Sequence, residues 1–201
     1  MVYVYEQEEE ALWYTLGMKK VFIIHGFNGV PNGGWRPWLM GELQKQDIYA
    51  CALAMPSPDT PRLTEWLDEL SRHLNRNQHD EVYLVGHSLG GAVIMRYFEQ
   101  HAPTWVKGVV LISSPCTTIT DHHLDDFLHN EFDFKTIKNN IPVVTVIHGD
   151  DDPVVPFTDA ERIARELGGK LVPIPHGKHL NGSAGFTQLP ECLTALTEMM
   201  G

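Results

Sequence analysis

Ser88 sits at the centre of Gly86-His87-Ser88-Leu89-Gly90, a G-x-S-x-G pentapeptide. Before it, residues 81–85 form a short apolar run that reads as a strand. After it, residues 90–101 read as a helix that stops at Pro103. A strand, a sharp turn and a helix make the context that a nucleophile elbow requires. Side chains at positions 86 and 90 would collide with neighbouring backbone, which accounts for the two glycines. The turn lifts the Ser88 hydroxyl above the strand end, at a helix N-terminus whose dipole favours negative charge. The plainer alternative is a serine that only caps the helix; the flanking strand and glycines favour the nucleophile.

A serine hydroxyl needs a general base, and the base needs an orienting carboxylate. The chain carries eleven histidines. The order expected with this elbow is serine, acid, histidine. His25, His73, His79 and His87 precede Ser88. His101 ends the following helix, and His122, His123 and His129 lie in the connection before the fifth strand. His148 closes that strand ahead of any acid at its end. Of His176 and His179, which follow the last strand, His179 is the expected base. It lies deeper in its loop, with Gly177 nearby and Asn181-Gly182 beyond, whereas His176 abuts the strand. The fifth strand ends in His148-Gly149-Asp150-Asp151-Asp152-Pro153. Three consecutive carboxylates cannot all be buried without repulsion, so at most one faces the histidine.

Stabilising a tetrahedral oxyanion needs two backbone N–H donors. Leu89, directly after the serine, is one. The loop His25-Gly26-Phe27-Asn28-Gly29 after the first strand supplies the other, from Phe27 or alternatively Asn28. The glycines at 26, 29, 33 and 34 match neither nucleotide-binding glycine pattern.

The elements that must hold these residues alternate along the chain. Apolar runs at 21–24, 48–54, 81–85, 109–112, 143–147 and 171–174 are mostly apolar throughout, as strands covered on both faces are. Leu63, Trp66, Leu67, Leu70 and Leu74 form one helical stripe, with Thr60 and Pro61 as its expected cap and first residue. Further helices are expected at 134–139, 158–167, ended by Gly168-Gly169, and 189–200. The result is an α/β fold of about six mostly parallel strands with helices on both faces. Pro173 puts the last strand at a sheet edge.

Two hundred and one residues suffice for one domain, expected at 18–201. Residues 1–17 stand apart as an extension of uncertain role, and Met18-Lys19-Lys20 resembles a natural start. Fifteen basic against 26 acidic residues give a formal charge of −11, which argues against a nucleic-acid partner. No run is long enough to span a bilayer, and no signal-peptide order opens the chain, so no membrane association is expected. Cys51, Cys116 and Cys192 are odd in number and far apart, which suggests a reduced, cytoplasmic setting. Cys51 reads as a small core residue.

With these residues assembled, the chain resembles the α/β-hydrolase superfamily, and within it the retinoblastoma-binding-protein-type (YdeN-like) serine hydrolases. The likeness runs from about Met18 to the C-terminus. It rests on His25-Gly26 followed by Trp35 and Trp38, Met55-Pro56, Gly86-His87-Ser88, Met95-Arg96-Tyr97, Asp151-Asp152-Pro153, and His179 with Asn181. Lys178 stands where the family usually has glycine. The spacing of Gly149, Asp152 and Val155-Pro156 fits the family's arrangement and selects Asp152 as the acid. The resemblance implies a compact α/β-hydrolase fold with a minimal lid, and Ser88, Asp152 and His179 as the catalytic residues. It also implies acyl hydrolysis.

The expectation is therefore a serine hydrolase that cleaves small carboxylic esters, thioesters or amides through an acyl-enzyme, with no cofactor and no metal. Its partner is a small acyl substrate; a protein partner is not indicated. The rival is an interaction module on a hydrolase scaffold with an idle triad, and a third reading is a cofactor-free haloperoxidase. Asn28, Trp35 and Trp38 are candidate pocket residues, the two tryptophans alternatively packing as core. Asp121-His122-His123 with Asp125-Asp126 lacks metal-ligand spacing and reads as a solvated loop or short lid. His122, His123, Phe127 and Phe132 would belong to that cover. The acidic run at 6–10 reads as a solvated face.

Overall fold

The computed structural model describes residues 17–118 and 124–201. The N-terminal extension up to residue 16, with its acidic run, and Asp121, His122 and His123 lie outside the described residues. Among the described residues six strands form one sheet in the order β2-β1-β3-β4-β5-β6. They are β1 Lys19–Ile24, β2 Tyr49–Leu53, β3 Glu81–His87, β4 Val106–Ile112, β5 Val143–Gly149 and β6 Lys170–Ile174. Every pairing is parallel. The helices are α1 Arg36–Gln44, α2 Leu63–Asn75, α3 Leu89–Gln100, α4 Asp125–Leu128, α5 Phe134–Asn140, α6 Phe157–Leu167 and α7 Pro190–Met200.

Successive strand residues point to opposite faces, so the sheet separates two cores. Val21, Ile23, Val85, Val110 and Ile147 pack with Leu39 and Leu43 of α1 and with Cys192 and Leu196 of α7. Phe22, Ile24, Leu84, Leu111 and Val146 pack with Trp66 of α2, Phe98 of α3, Ile137 of α5 and Ile163 of α6. This explains why the central strands read as continuous apolar runs. The outer strands differ from that expectation. β2 and β6 have a neighbour on one side only and are half-buried, and Cys51 is half-buried with them. Pro173 lies on edge strand β6, where its missing N–H does the least harm.

Three further differences from the expectation stand out. Helix α2 starts at Leu63, with Arg62 at the cap position and no side-chain cap. Thr60 is used instead to close a turn, its amide donating to Ser57 O at 3.0 Å. Helix α1, with Pro37 in its first turn, was not expected, because Gly41 and a short apolar stripe weaken its pattern. In the described part of the segment before α5, the apolar side chains turn into the core instead of forming a solvated cover. Leu124, Phe127, Leu128 and Phe132 are buried, with the Phe127 ring 5.5 Å from Trp66 and Arg96 stacked 3.7 Å over Phe132.

The chain runs from β1 outward to β2 and then crosses back past β1 to β3, so the order reverses between β1 and β3. In open α/β sheets ligands bind at such a reversal, beyond the carboxyl ends of the strands. The loops after β1 and β3 carry Phe27 and Ser88.

Candidate active site

Ser88 occupies the turn between β3 and α3 with φ 55° and ψ −123°, a conformation that is strained for a residue with a side chain. The strain is held by its amide donating to Ile112 O at 2.8 Å and by two glycines. A Cβ at Gly86 would lie 2.6 Å from Gly91 Cα, and one at Gly90 would lie 2.3 Å from Ile24 O. Only glycine allows the turn to approach the sheet this closely.

His179 Nε2 lies 3.0 Å from Ser88 Oγ, and His179 Nδ1 lies 2.8 Å from Asp152 Oδ2. The Asp152 side chain is fully buried. Its Oδ1 accepts the Val154 and Val155 amides at 2.8 and 3.0 Å. Burial pushes the Asp152 pKa up, but the hydrogen bond from His179 and those two amides outweigh it and hold the carboxyl below its ordinary value. His148 is also buried; its Nε2 donates to Val155 O at 3.0 Å and lies 3.4 Å from Asp152 Oδ2.

The other candidates take different places. The His176 side chain is exposed. Asp150 and Asp151 accept the His176 and Lys178 amides at 2.8 and 2.7 Å, so they shape the loop that carries His179. Lys178 has φ 47°, which accounts for the glycine usual at that position.

The Asn28 amide donates to Pro58 O at 2.7 Å, so of the two candidate amides in that loop only that of Phe27 is uncommitted among the described residues. Neither Phe27 N nor Leu89 N, the first amide of α3, has an acceptor among the described residues. His25 clamps this loop. Its Nδ1 donates to Gly26 O at 2.9 Å, and its Nε2 accepts the Met55 amide at 3.3 Å.

Ser88 and His179 open on a cleft of about 180 Å³ lined also by Phe27, Asn28, Arg36, His87, Asn181 and Ser183. Asn28 is therefore on the cleft, but Trp35 and Trp38 are not. Trp35 is wholly buried against Leu39 and Leu43, with Nε1 donating to Leu180 O at 2.9 Å, and Trp38 packs on the same core. Trp35 ties the loop that carries His179 to this core through that bond. Four residues at the site were not foreseen: Arg36, His87, His148 and Ser183. His87 was set aside on chain order, yet its Nε2 donates to His179 O at 2.9 Å and its ring lies 5.1 Å from that of His179. Alternation along β3, two residues beyond inward-facing Val85, is the signal that would have placed it.

Burial pushes the His87 pKa down to about 3, with the neighbouring His179 acting in the same direction. The His148 pKa is lowered as well, mainly by burial. A histidine whose folded pKa is depressed adds no penalty above its unfolded pKa near 6.5, and it destabilises the fold progressively below that. His87 alone should remove about 2 kcal/mol at pH 5 and about 5 kcal/mol at the acid limit. Asp152 loses its contribution only below the ordinary carboxylate range. Urea unfolding of the wild type at pH 7 and pH 5 should show that loss, and His87→Gln should show a shallower one. Equal pH dependence in the two proteins would count against this account.

The chain matches the serine hydrolase family over residues 21–198. It is 35% identical to the YdeN protein of Bacillus subtilis (strain 168) over 181 residues, 89% of this chain and 95% of that one. It is 26% identical to the serine hydrolase RBBP9 of Rattus norvegicus over 186 residues, 90% of this chain and 95% of that one. The crystal structure of the B. subtilis ydeN product superposes with a TM-score of 0.83, covering 91% of this chain and 99% of that one. Est1E from Butyrivibrio proteoclasticus, 17% identical, shares the fold with a TM-score of 0.72, covering 92% of this chain and 87% of that one.

Proposed function

The chain belongs to the serine hydrolase family, with YdeN and RBBP9 among its relatives in the α/β-hydrolase fold, and from that premise we propose that it hydrolyses small carboxylic esters through an acyl-enzyme. The observation that carries this reading is the hydrogen-bonded line from the Ser88 hydroxyl through the His179 imidazole to the Asp152 carboxylate. Ser88 attacks the acyl carbon as His179 Nε2 takes its proton. The oxyanion forms against the unpartnered Leu89 and Phe27 amides. His179 then returns the proton to the leaving alcohol. Water attacks the Ser88 ester by the same route in reverse and releases the acid. Asp152 fixes the Nδ1–H tautomer and stabilises the imidazolium that forms. Thioesters and amides are attacked by the same steps.

The cytoplasm is the proposed setting. Its three cysteines are unpaired, with burial raising the thiol of Cys116 to about 12. Among the described residues no helix is long and apolar enough to cross a membrane.

A cleft of about 180 Å³ is small. A dry 150 Å³ protein cavity takes one benzene, so there is room for roughly six or seven non-hydrogen atoms. No residue of α4 or of the described segment around it lines the cleft. Each further methylene left in water forfeits about 0.8 kcal/mol of binding. Hydrolysis of p-nitrophenyl esters should therefore peak at acyl chains of about two to four carbons and fall with length. A steady rise in kcat/KM towards twelve carbons would contradict this reading.

A further inference from the structure

Arg36 begins α1 and lines the same cleft as Ser88. The residue is 7% exposed. Its Nε and Nη2 both donate to the neutral carbonyl of Val30, at 3.2 and 2.9 Å. No carboxylate among the described residues lies within ion-pair distance of it, although the chain carries 26 acidic residues and a formal charge of −11. The guanidinium edge formed by Nη1 and the second Nη2 hydrogen is left without an acceptor among the described residues. The Trp35 ring, 5.8 Å from the Arg36 Cζ, gives only a weak cation–π contact. Burying a charge without an anionic partner is costly, and such groups are normally paired.

The rest of the lining fits the same pattern. Among the described residues it contains no aspartate or glutamate. Asn181, also in the lining, accepts the Ser183 hydroxyl and the Ala184 amide on its Oδ1 at 2.8 Å each, and its amide nitrogen has no acceptor among the described residues. Ser88 adds the N-terminus of α3 on the other side.

We propose that Arg36 is the anchor for a carboxylate on the substrate, so that the preferred ester is a small one that carries a second, ionised carboxyl group. The open edge of the guanidinium suits the two oxygens of a carboxylate, and the partner missing from the protein is supplied by the ligand. The volume agrees, since a four-carbon dicarboxylic acyl group has about seven non-hydrogen atoms and fills the cleft. The substrate class rests on the hydrolase reading; the binding preference does not.

Two measurements keep these apart. In a pH-stat, the wild type should hydrolyse monoethyl succinate with a kcat/KM at least tenfold above that for ethyl butyrate. The ratio should fall to near one in Arg36→Gln, which keeps a donor for Val30 O, and should partly survive in Arg36→Lys. Calorimetric titration of Ser88→Ala should show monoethyl succinate bound more tightly than ethyl butyrate, and Ser88→Ala/Arg36→Gln should lose the difference. A binding preference without hydrolysis of either ester would uphold the anchor and overturn the hydrolase reading. Hydrolysis with equal ratios in wild type and Arg36→Gln, or equal binding of the two esters, would overturn the anchor.

Discussion

Asp152→Asn should lower kcat by about 10⁴ while the protein stays folded. The geometry gives the reason. Asp152 Oδ1 is committed to the Val154 and Val155 amides, and Oδ2 receives the His179 Nδ1 proton at 2.8 Å. Asparagine has one acceptor oxygen. Keeping it on the two amides turns the asparagine NH₂ towards His179 Nδ1, which must then accept. The imidazole proton moves to Nε2 and points at the Ser88 hydroxyl, so His179 can no longer take the serine proton. The loop after β5 keeps its two hydrogen bonds, and circular dichroism should show the native fold. Asp151→Asn should be mild, because Asp151 accepts only the Lys178 amide and its side chain is partly exposed. A severe Asp151→Asn beside a mild Asp152→Asn would move the acid by one position.

Most of the framework was legible because its signals are local. The β3 run, the two elbow glycines and the α2 stripe needed no long-range information. Nor did Pro173 at an edge or Gly168 at the end of α6, where φ is 71°. Asp152 among three consecutive aspartates was selected by family spacing, not by charge. The reason becomes clear only in three dimensions, where Asp150 and Asp151 turn outward to hold the loop of His179.

What stayed illegible depends on contacts between distant segments. Trp35 could be read as a pocket or a core residue, because a tryptophan near a glycine-rich loop fits either. Its partner, Leu180 O, lies 145 positions away. Phe127 and Phe132 sit in an acidic, histidine-rich segment that reads as exposed. Trp66 and Arg96, on helices far upstream, are what draw them inside. Arg36 gave no signal, since an arginine before a proline ordinarily faces solvent.

The central claim is that Ser88 is an activated nucleophile, and reaction with a fluorophosphonate probe tests it most directly. The phosphorus is attacked as an acyl carbon would be, fluoride leaves, and the adduct is stable enough for peptide mapping. Wild-type protein should label with one adduct, on the peptide that contains Ser88. Folded Ser88→Ala should not label, and it should lose ester hydrolysis by a factor on the order of 10⁴ to 10⁶. Folded wild-type protein that does not label, or a Ser88→Ala variant that labels and turns over like the wild type, would contradict the account.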